Sequence, residues 1–361
     1  MPRKFVKWSA PYRDEPFEMP EFDLIRYEKE APIGRIVLNA PEKRNPLGYE
    51  RLLQIEMAAK LMELDDEIKV IIIKGDGPSF CAGYDITPIQ PGEPRRNSPL
   101  NGYINPDRDP IWMSYNMEHL RVYFSLWDLQ KPVIAQIHGY CLAGGTELAA
   151  LCDLRIVAED AQIGWPVGRT WSPGNIQYMP WLTGITKAKY YMFTNTPMDG
   201  IEAFRCDWAS AVCKADELEA KTEEIAAQIA LAPTDLIMLA KRSINRQFEI
   251  MGFRTGLYSG SDYLALAGLR PSQRRDDGNA FGRIALEQGL KAALDWRDTT
   301  QGLSYRTSEK AASARTKRGA APGAAKAAKK PSKASAKAAP AKPAPKPRAR
   351  KTASGDTASY P

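Results

Sequence analysis

The chain has little with which to hold a metal or crosslink itself. Of its 361 residues, two are histidine (His119 and His138) and five are cysteine. The cysteine number is odd and no Cys-x-x-Cys pair occurs, so neither a zinc site nor a disulfide framework is expected. No window of 18 apolar residues is present, which excludes a membrane-spanning helix. The opening stretch MPRKFVKWSAPYRDEP is basic but has no apolar centre, so a secretory leader is not expected. A soluble, reducing, cytoplasmic setting is the default reading.

A second absence is local. From Glu309 onward Val, Ile, Leu, Met, Phe and Trp are all missing, leaving Lys/Ala/Pro repetition. Such a segment cannot bury enough apolar surface to offset its ordering entropy, so residues 309–361 are expected to form a disordered tail. They hold 14 of the 50 Lys and Arg but two of the 43 acidic residues, so the tail carries +12 and the remainder −5. The high pI therefore belongs to the tail, which excludes reading the whole protein as a basic nucleic-acid binder. The tail has two readings: a solvated appendage, or an electrostatic contact with nucleic acid, polyphosphate or an anionic membrane surface.

What is present reads as mixed α/β. Residues 24–27 and 34–39 look like a hairpin. Tyr49–Leu64 has apolar residues at helical spacing, including Leu52, Ile55, Met57 and Met62. The runs 69–74 (KVIIIK), 131–138 (KPVIAQIH) and Leu154–Ala158 read as buried strands. Residues 144–151 read as a helix opened by two glycines, 216–248 as two helices split at Pro233, and 280–296 as a further helix. Residues 88–110, rich in Pro, Asn and Arg, read as a long loop.

Two glycine turns follow buried strands: Phe80-Cys81-Ala82-Gly83-Tyr84-Asp85, and His138-Gly139-Tyr140-Cys141-Leu142-Ala143-Gly144-Gly145-Thr146-Glu147. Small residues leave backbone N–H groups bare, and those of the second turn open a helix, where the dipole favours negative charge. Two amides aimed at one point make an oxyanion hole, and Glu147 falls in the first turn beside it. That combination suits proton transfer next to a carbonyl. Each piece also has a plain reading: glycines for close packing, Glu147 as a dipole partner, Asp85 as a turn cap, Arg169 as a salt-bridge residue, and Tyr84, Tyr140 and Trp165 as core. A nucleophilic role for Cys81 or Cys141 lacks a neighbouring base, and His138 and His119 read as structural.

Taken together, these segments resemble the enoyl-CoA hydratase/isomerase (crotonase) superfamily. The matching stretches are Arg44-Asn45-Pro46-Leu47, Ser79 through Ile86, Lys131-Pro132-Val133-Ile134-Ala135, His138 through Ala149, Cys152 through Val157, Ala161-Gln162-Ile163-Gly164, residues 184–188, and Leu239-Ala240-Lys241-Arg242. The resemblance implies a spiral of ββα turns forming two sheets, then helices that build a homotrimer or homohexamer. Together with the tail (309–361) set by composition, it divides the chain into an extension (1–21), a core (22–230) and a helical oligomerisation region (231–308). It implies an acyl-CoA substrate, with CoA as part of that substrate and no separate cofactor or metal. By position, the Ala82 and Gly144 amides would hold the thioester oxygen and Glu147 would move the proton. Arg44, Pro46, Gly83, Tyr84, Asp85 and Ile86 would line the CoA path, Tyr84, Tyr140 and Trp165 would shape the acyl pocket, Arg169 would meet a substrate carboxylate, and Gly145, Pro166 and Val167 belong to the same substrate-binding set.

One departure matters. The resemblance places a second glutamate after the proline of Gly164-Trp165-Pro166, and here that position is Val167. Valine carries no exchangeable side-chain proton. Glu147 alone would then handle water addition, or the chemistry has moved to isomerisation or thioester hydrolysis, or the protein binds acyl-CoA and catalyses little.

Overall fold

The computed structural model describes residues 5–8, 17–87, 118–169, 173–268 and 280–301. The predicted basic tail and the 88–110 loop lie outside them. Among the described residues there are ten strands: β1 (Phe5–Trp8), β2 (Phe17–Pro20), β3 (Ile25–Glu30), β4 (Ile33–Leu38), β5 (Val70–Gly75), β6 (Val133–Ile137), β7 (Tyr140–Leu142), β8 (Leu154–Ala158), β9 (Gln162–Gly164) and β10 (Ala211–Cys213). The helices are α1 (Tyr49–Leu64), α2 (Glu118–Asp128), α3 (Gly144–Ala150), α4 (Met179–Thr194), α5 (Gly200–Arg205), α6 (Leu218–Ala230), α7 (Thr234–Ile250), α8 (Phe253–Gly268), α9 (Ala280–Gln288) and α10 (Leu290–Gln301). The predicted 280–296 helix is broken at Gly289, whose φ of +88° suits glycine and starts a new helix.

The main sheet has the order β10-β8-β6-β5-β4-β3, with β3 and β4 antiparallel and every other pair parallel. Parallel strands are covered on both faces and so need continuous apolar runs. Val70–Ile73 and Val133–Ala135 supply them and are wholly buried. Helix α6 packs across β4, β5, β6 and β8, while α1 packs on β3, β4 and α2.

A second ladder runs beside this sheet. Its members are the parallel pair β7–β9 and the isolated bridges Leu47↔Tyr84, Cys81↔Cys141 and Ile163↔Met198. Thus β4, β5, β6 and β8 each lead into a short extended segment of the second ladder, at residues 47, 81–84, 140–142 and 162–164. This is the ββα spiral, and it stacks the two glycine turns on each other. Strands β7 and β9 have three residues each, too few for a hydrophobic period to show in the sequence.

The C-terminal helices return over the body. The Trp127 indole of α2 donates to Glu249 of α7 at 3.0 Å and stacks on Phe253 of α8, ring centres 4.5 Å apart. Lys241 of α7 reaches Asp153 at 2.7 Å, and Asp153 also accepts the Val133 N–H at 2.8 Å. This largely enclosed pair, with Lys241 buried and Asp153 half-buried, ties α7 to the start of β6.

Candidate active site

Glu147 lies in the first turn of α3 and is fully buried. Its Oε1 accepts the backbone N–H of Asn175 at 2.7 Å and of Ile176 at 3.1 Å. Its Oε2 accepts the Tyr84 hydroxyl at 2.5 Å and the Asn175 side-chain amide at 3.4 Å. The Tyr123 hydroxyl of α2 stands 2.9 Å from that of Tyr84. Burial pushes the Glu147 carboxyl up to about 7, against the opposite pull of the Tyr84, Ile176 and Asn175 hydrogen bonds. Both phenols are held well above the ordinary tyrosine range, by burial first and the adjacent carboxylate second.

The loop that clamps Glu147 is itself pinned. The Ser261 hydroxyl of α8 donates to the Asn175 carbonyl at 3.0 Å. A Cβ on Gly260 would lie 2.8 Å from that same carbonyl oxygen and 2.9 Å from the Gln177 nitrogen, so glycine permits the close approach of helix and loop. The C-terminal region therefore supports the site from within the same chain. Asn175, Tyr123 and Ser261 are absent from the sequence-predicted site. Their contacts with the Glu147 cluster span 28 to 86 residues, and no local pattern marks them.

Ahead of Glu147, Ala143 has φ +47° and ψ −120°, a conformation that costs a non-glycine residue on the order of 1–3 kcal/mol. Its own N–H donates to Gly164 at 2.9 Å. Among the described residues, the next amide, Gly144 N–H, meets no acceptor. Gly83 has φ +105°, and a Cβ there would lie 3.0 Å from both the Ala143 Cβ and the Leu142 oxygen. The first glycine turn is thus seated against the second.

One expectation changes. The Ala82 N–H donates to the Arg44 carbonyl at 2.9 Å, so it is turned to the Arg44 side and away from Gly144. In the Leu47↔Tyr84 bridge, Leu47 donates to Gly83 O at 2.7 Å and accepts from Asp85 N at 2.9 Å. The Tyr84 amide consequently faces the other way, to the side of Leu142 and Ala143.

A fold of this order, with a buried glutamate behind a bare glycine amide, can be set against known proteins. Residues 28–264 match the family model described as enoyl-CoA hydratase/isomerase. The chain belongs to the enoyl-CoA hydratase/isomerase family. Its relatives include EchA13 of Mycobacterium tuberculosis, 33% identical over 255 residues (66% of this chain, 78% of that one). A crotonyl-CoA hydratase of Syntrophomonas wolfei is 31% identical over 232 residues (63% of this chain, 84% of that one). The crystal structure of an enoyl-CoA hydratase from Mycobacterium smegmatis is 30% identical and superposes with a TM-score of 0.71, covering 80% of this chain and 98% of that one.

The other predicted site residues of this family member fall into groups. Arg44 is exposed, has φ +61°, and places its guanidinium 5.4 Å from the centre of the Tyr140 ring. Asn45 beside it is buried and ties the loop down, donating at 2.9 Å to the Asp76 and Ser79 carbonyls and accepting from Ala40 N at 2.8 Å. The Pro46 carbonyl accepts from Arg51 of α1. Asp85 caps its own turn, accepting from Thr87 N at 2.9 Å, and Ile86 is exposed. Gly145 is required by packing: a Cβ there would stand 2.8 Å from the Cys81 carbonyl oxygen. Trp165 and Pro166 are buried and Val167 half-buried at the start of the 3-10 turn Pro166–Arg169. The Arg169 side chain lies outside the described residues, as does that of His119. His138 bonds the Gly77 carbonyl at 2.8 Å, a structural role. Burial pushes the Cys81 thiol up to about 12 and the Cys141 thiol well above its ordinary value, which removes both as nucleophiles near neutral pH.

Proposed function

We propose that the protein adds water across the 2,3-double bond of an acyl-CoA thioester, with Glu147 as its acid/base group. The observation that carries this reading is the position of the Glu147 carboxyl, buried in the helical turn directly behind the Gly144 amide. The thioester oxygen is held by the N–H groups of Gly144 and Tyr84, and each such donor contributes roughly 2.7–4 kcal/mol to a developing oxyanion. Polarisation makes carbon 3 electrophilic. Glu147, poised near neutrality, removes a proton from the attacking water and returns it. The CoA portion follows the backbone of residues 44–47 and 82–86, with the exposed Arg44 available to its phosphates.

Isomerisation or thioester hydrolysis on the same oxyanion site is the alternative, and Val167 in place of the second glutamate favours keeping it. A panel of 2-enoyl-CoA, 3-enoyl-CoA and saturated acyl-CoA thioesters separates the three. Hydration removes the conjugated thioester absorbance, isomerisation of the 3-enoyl thioester creates it, and hydrolysis alone frees CoA thiol. No turnover of any member would overturn the reading.

Two further features belong here. Helix α7 exposes Leu236, Leu239, Ile244 and Ile250, and Phe193 and Met251 are exposed beyond it. Such a set supports a homo-oligomer. Light scattering is expected to give three or six times the 40.1 kDa chain mass. Leu239→Glu with Ile244→Glu should shift it toward monomer, and an unchanged mass would place the interface elsewhere. The +12 tail is proposed to bind polyanions. Deleting residues 309–361 should abolish salt-sensitive retention of DNA, and retention that survives the deletion would assign it to the body.

A further inference from the structure

A hydratase must deliver a hydroxyl to one carbon and a proton to its neighbour. Val167 cannot take part in either transfer, so the question is what accompanies Glu147. The carboxylate's surroundings restrict the answer. Oε1 already accepts two backbone N–H groups, at 2.7 and 3.1 Å. Proton exchange therefore takes place at Oε2. There the nearer contact is the Tyr84 hydroxyl at 2.5 Å, and the Asn175 amide at 3.4 Å is the looser one. The Tyr84 ring lies over Gly144: a Cβ added to that glycine would stand 2.8–2.9 Å from three of its carbons. The phenol thus spans from the proposed oxyanion donor to the proposed base.

Resting on the hydratase reading above, we infer that the Tyr84 phenol is the second proton carrier of the site, performing the task that Val167 cannot. The water oxygen bonds to carbon 3 with its lone pair and loses a proton to Glu147 Oε2 on the Asn175 side. The 2,3-π pair moves into the thioester as an enolate. It then returns to form the carbon 2–H bond with the Tyr84 proton, leaving the O–H electron pair on the phenolate. The proton on Glu147 passes along the 2.5 Å hydrogen bond to the phenolate. One water has been added, no charge remains, and both side chains are restored. Tyr123, 2.9 Å away, donates to the transient phenolate and acts as a positioning residue. Among the described residues, the titratable groups around Glu147 are Tyr84 from the first glycine turn and Tyr123 from α2, with the Cys81 thiol close enough to influence Tyr123.

The test compares wild type, Tyr84→Phe, Tyr123→Phe and Glu147→Gln on a hydratable enoyl-CoA, with kcat and KM taken across pH. Tyr84→Phe keeps the ring over Gly144. It is expected to lower kcat at least about 100-fold, the range of a lost general acid, with KM within about threefold. Its residual activity should titrate at higher pH, because a hydrogen bond favouring ionised Glu147 is gone. Tyr123→Phe should cost about tenfold or less. A fluorinated tyrosine at position 84, with a more acidic phenol, should recover most of the rate and displace the pH profile. Near-wild-type kcat in Tyr84→Phe with an inactive Glu147→Gln would overturn the relay and leave the Glu147 reading standing. A slow Tyr84→Phe that the fluorinated residue neither rescues nor shifts in pH would show that Tyr84 only packs. If wild type hydrates no enoyl-CoA, or Glu147→Gln is fully active, the underlying reading fails and the relay with it.

Discussion

Glu147→Gln is expected to lower kcat for hydration by about 1,000-fold, within the usual span for a positioned acid/base group, while KM changes little. The amide is nearly isosteric with the carboxyl. Its oxygen can still accept from the Asn175 and Ile176 amides, so the clamp on the loop persists. What is lost is the exchangeable proton near neutrality. In the wild type, kcat/KM should rise with pH through about 7 as the buried carboxyl ionises and becomes able to take a proton from water. The same shift has a stability consequence. The folded state holds the Glu147 proton up to about pH 7, whereas the unfolded chain releases it near 4.5. Stability linked to this group is fully present below the unfolded value and is lost as pH rises through the folded one. Glutamine does not titrate. Between pH 4.5 and 8 the wild type should therefore lose up to about 3 kcal/mol relative to the variant. Urea midpoints at the two pH values measure this. Parallel pH dependence in both proteins would mean that Glu147 is ionised at its ordinary value, and the proposed poise would be wrong.

Lys241→Met should be the most disruptive single change in the fold, destabilising by about 3–5 kcal/mol, the range for breaking a buried ion pair from one side. Lys241 is buried, 8% exposed, and Asp153 half-buried, and the ammonium bridges Asp153 and the Lys131 carbonyl. Burial already holds the Asp153 carboxyl above its ordinary value despite Lys241. Methionine fills the space of the lysine stem but leaves the carboxylate uncompensated. Neutralising it with Asp153→Asn in the same chain should return most of the loss, because the orphaned charge is then gone. A lower urea midpoint at unchanged m-value, partly restored in the double variant, is the expected pattern. A loss under 1 kcal/mol would mean that water reaches Asp153. Activity should fall only with the folded fraction, since the Lys241 ammonium bonds Asp153 and the Lys131 carbonyl and no group assigned to the chemistry.

The sequence alone determined the main layers. Continuous apolar runs can only be buried strands or core helices, and glycines between them mark turns, so β4, β5, β6, β8, α1 and α3 were readable, as was Glu147 behind its paired glycines. Hydrophobic period and turn chemistry are local properties. The tertiary structure decided what depends on distance along the chain or on register. It set which amide of the 82–84 turn is directed away from the Arg44–Leu47 segment, because that follows from the Leu47–Tyr84 pairing and from the positive φ of Gly83, which breaks the regular alternation of N–H directions. It brought Tyr84, Tyr123 and Asn175 onto one carboxyl from three separate elements. It also raised that carboxyl toward neutrality, since desolvation arises only when the surrounding elements close over it and no residue carries that property in its own side chain.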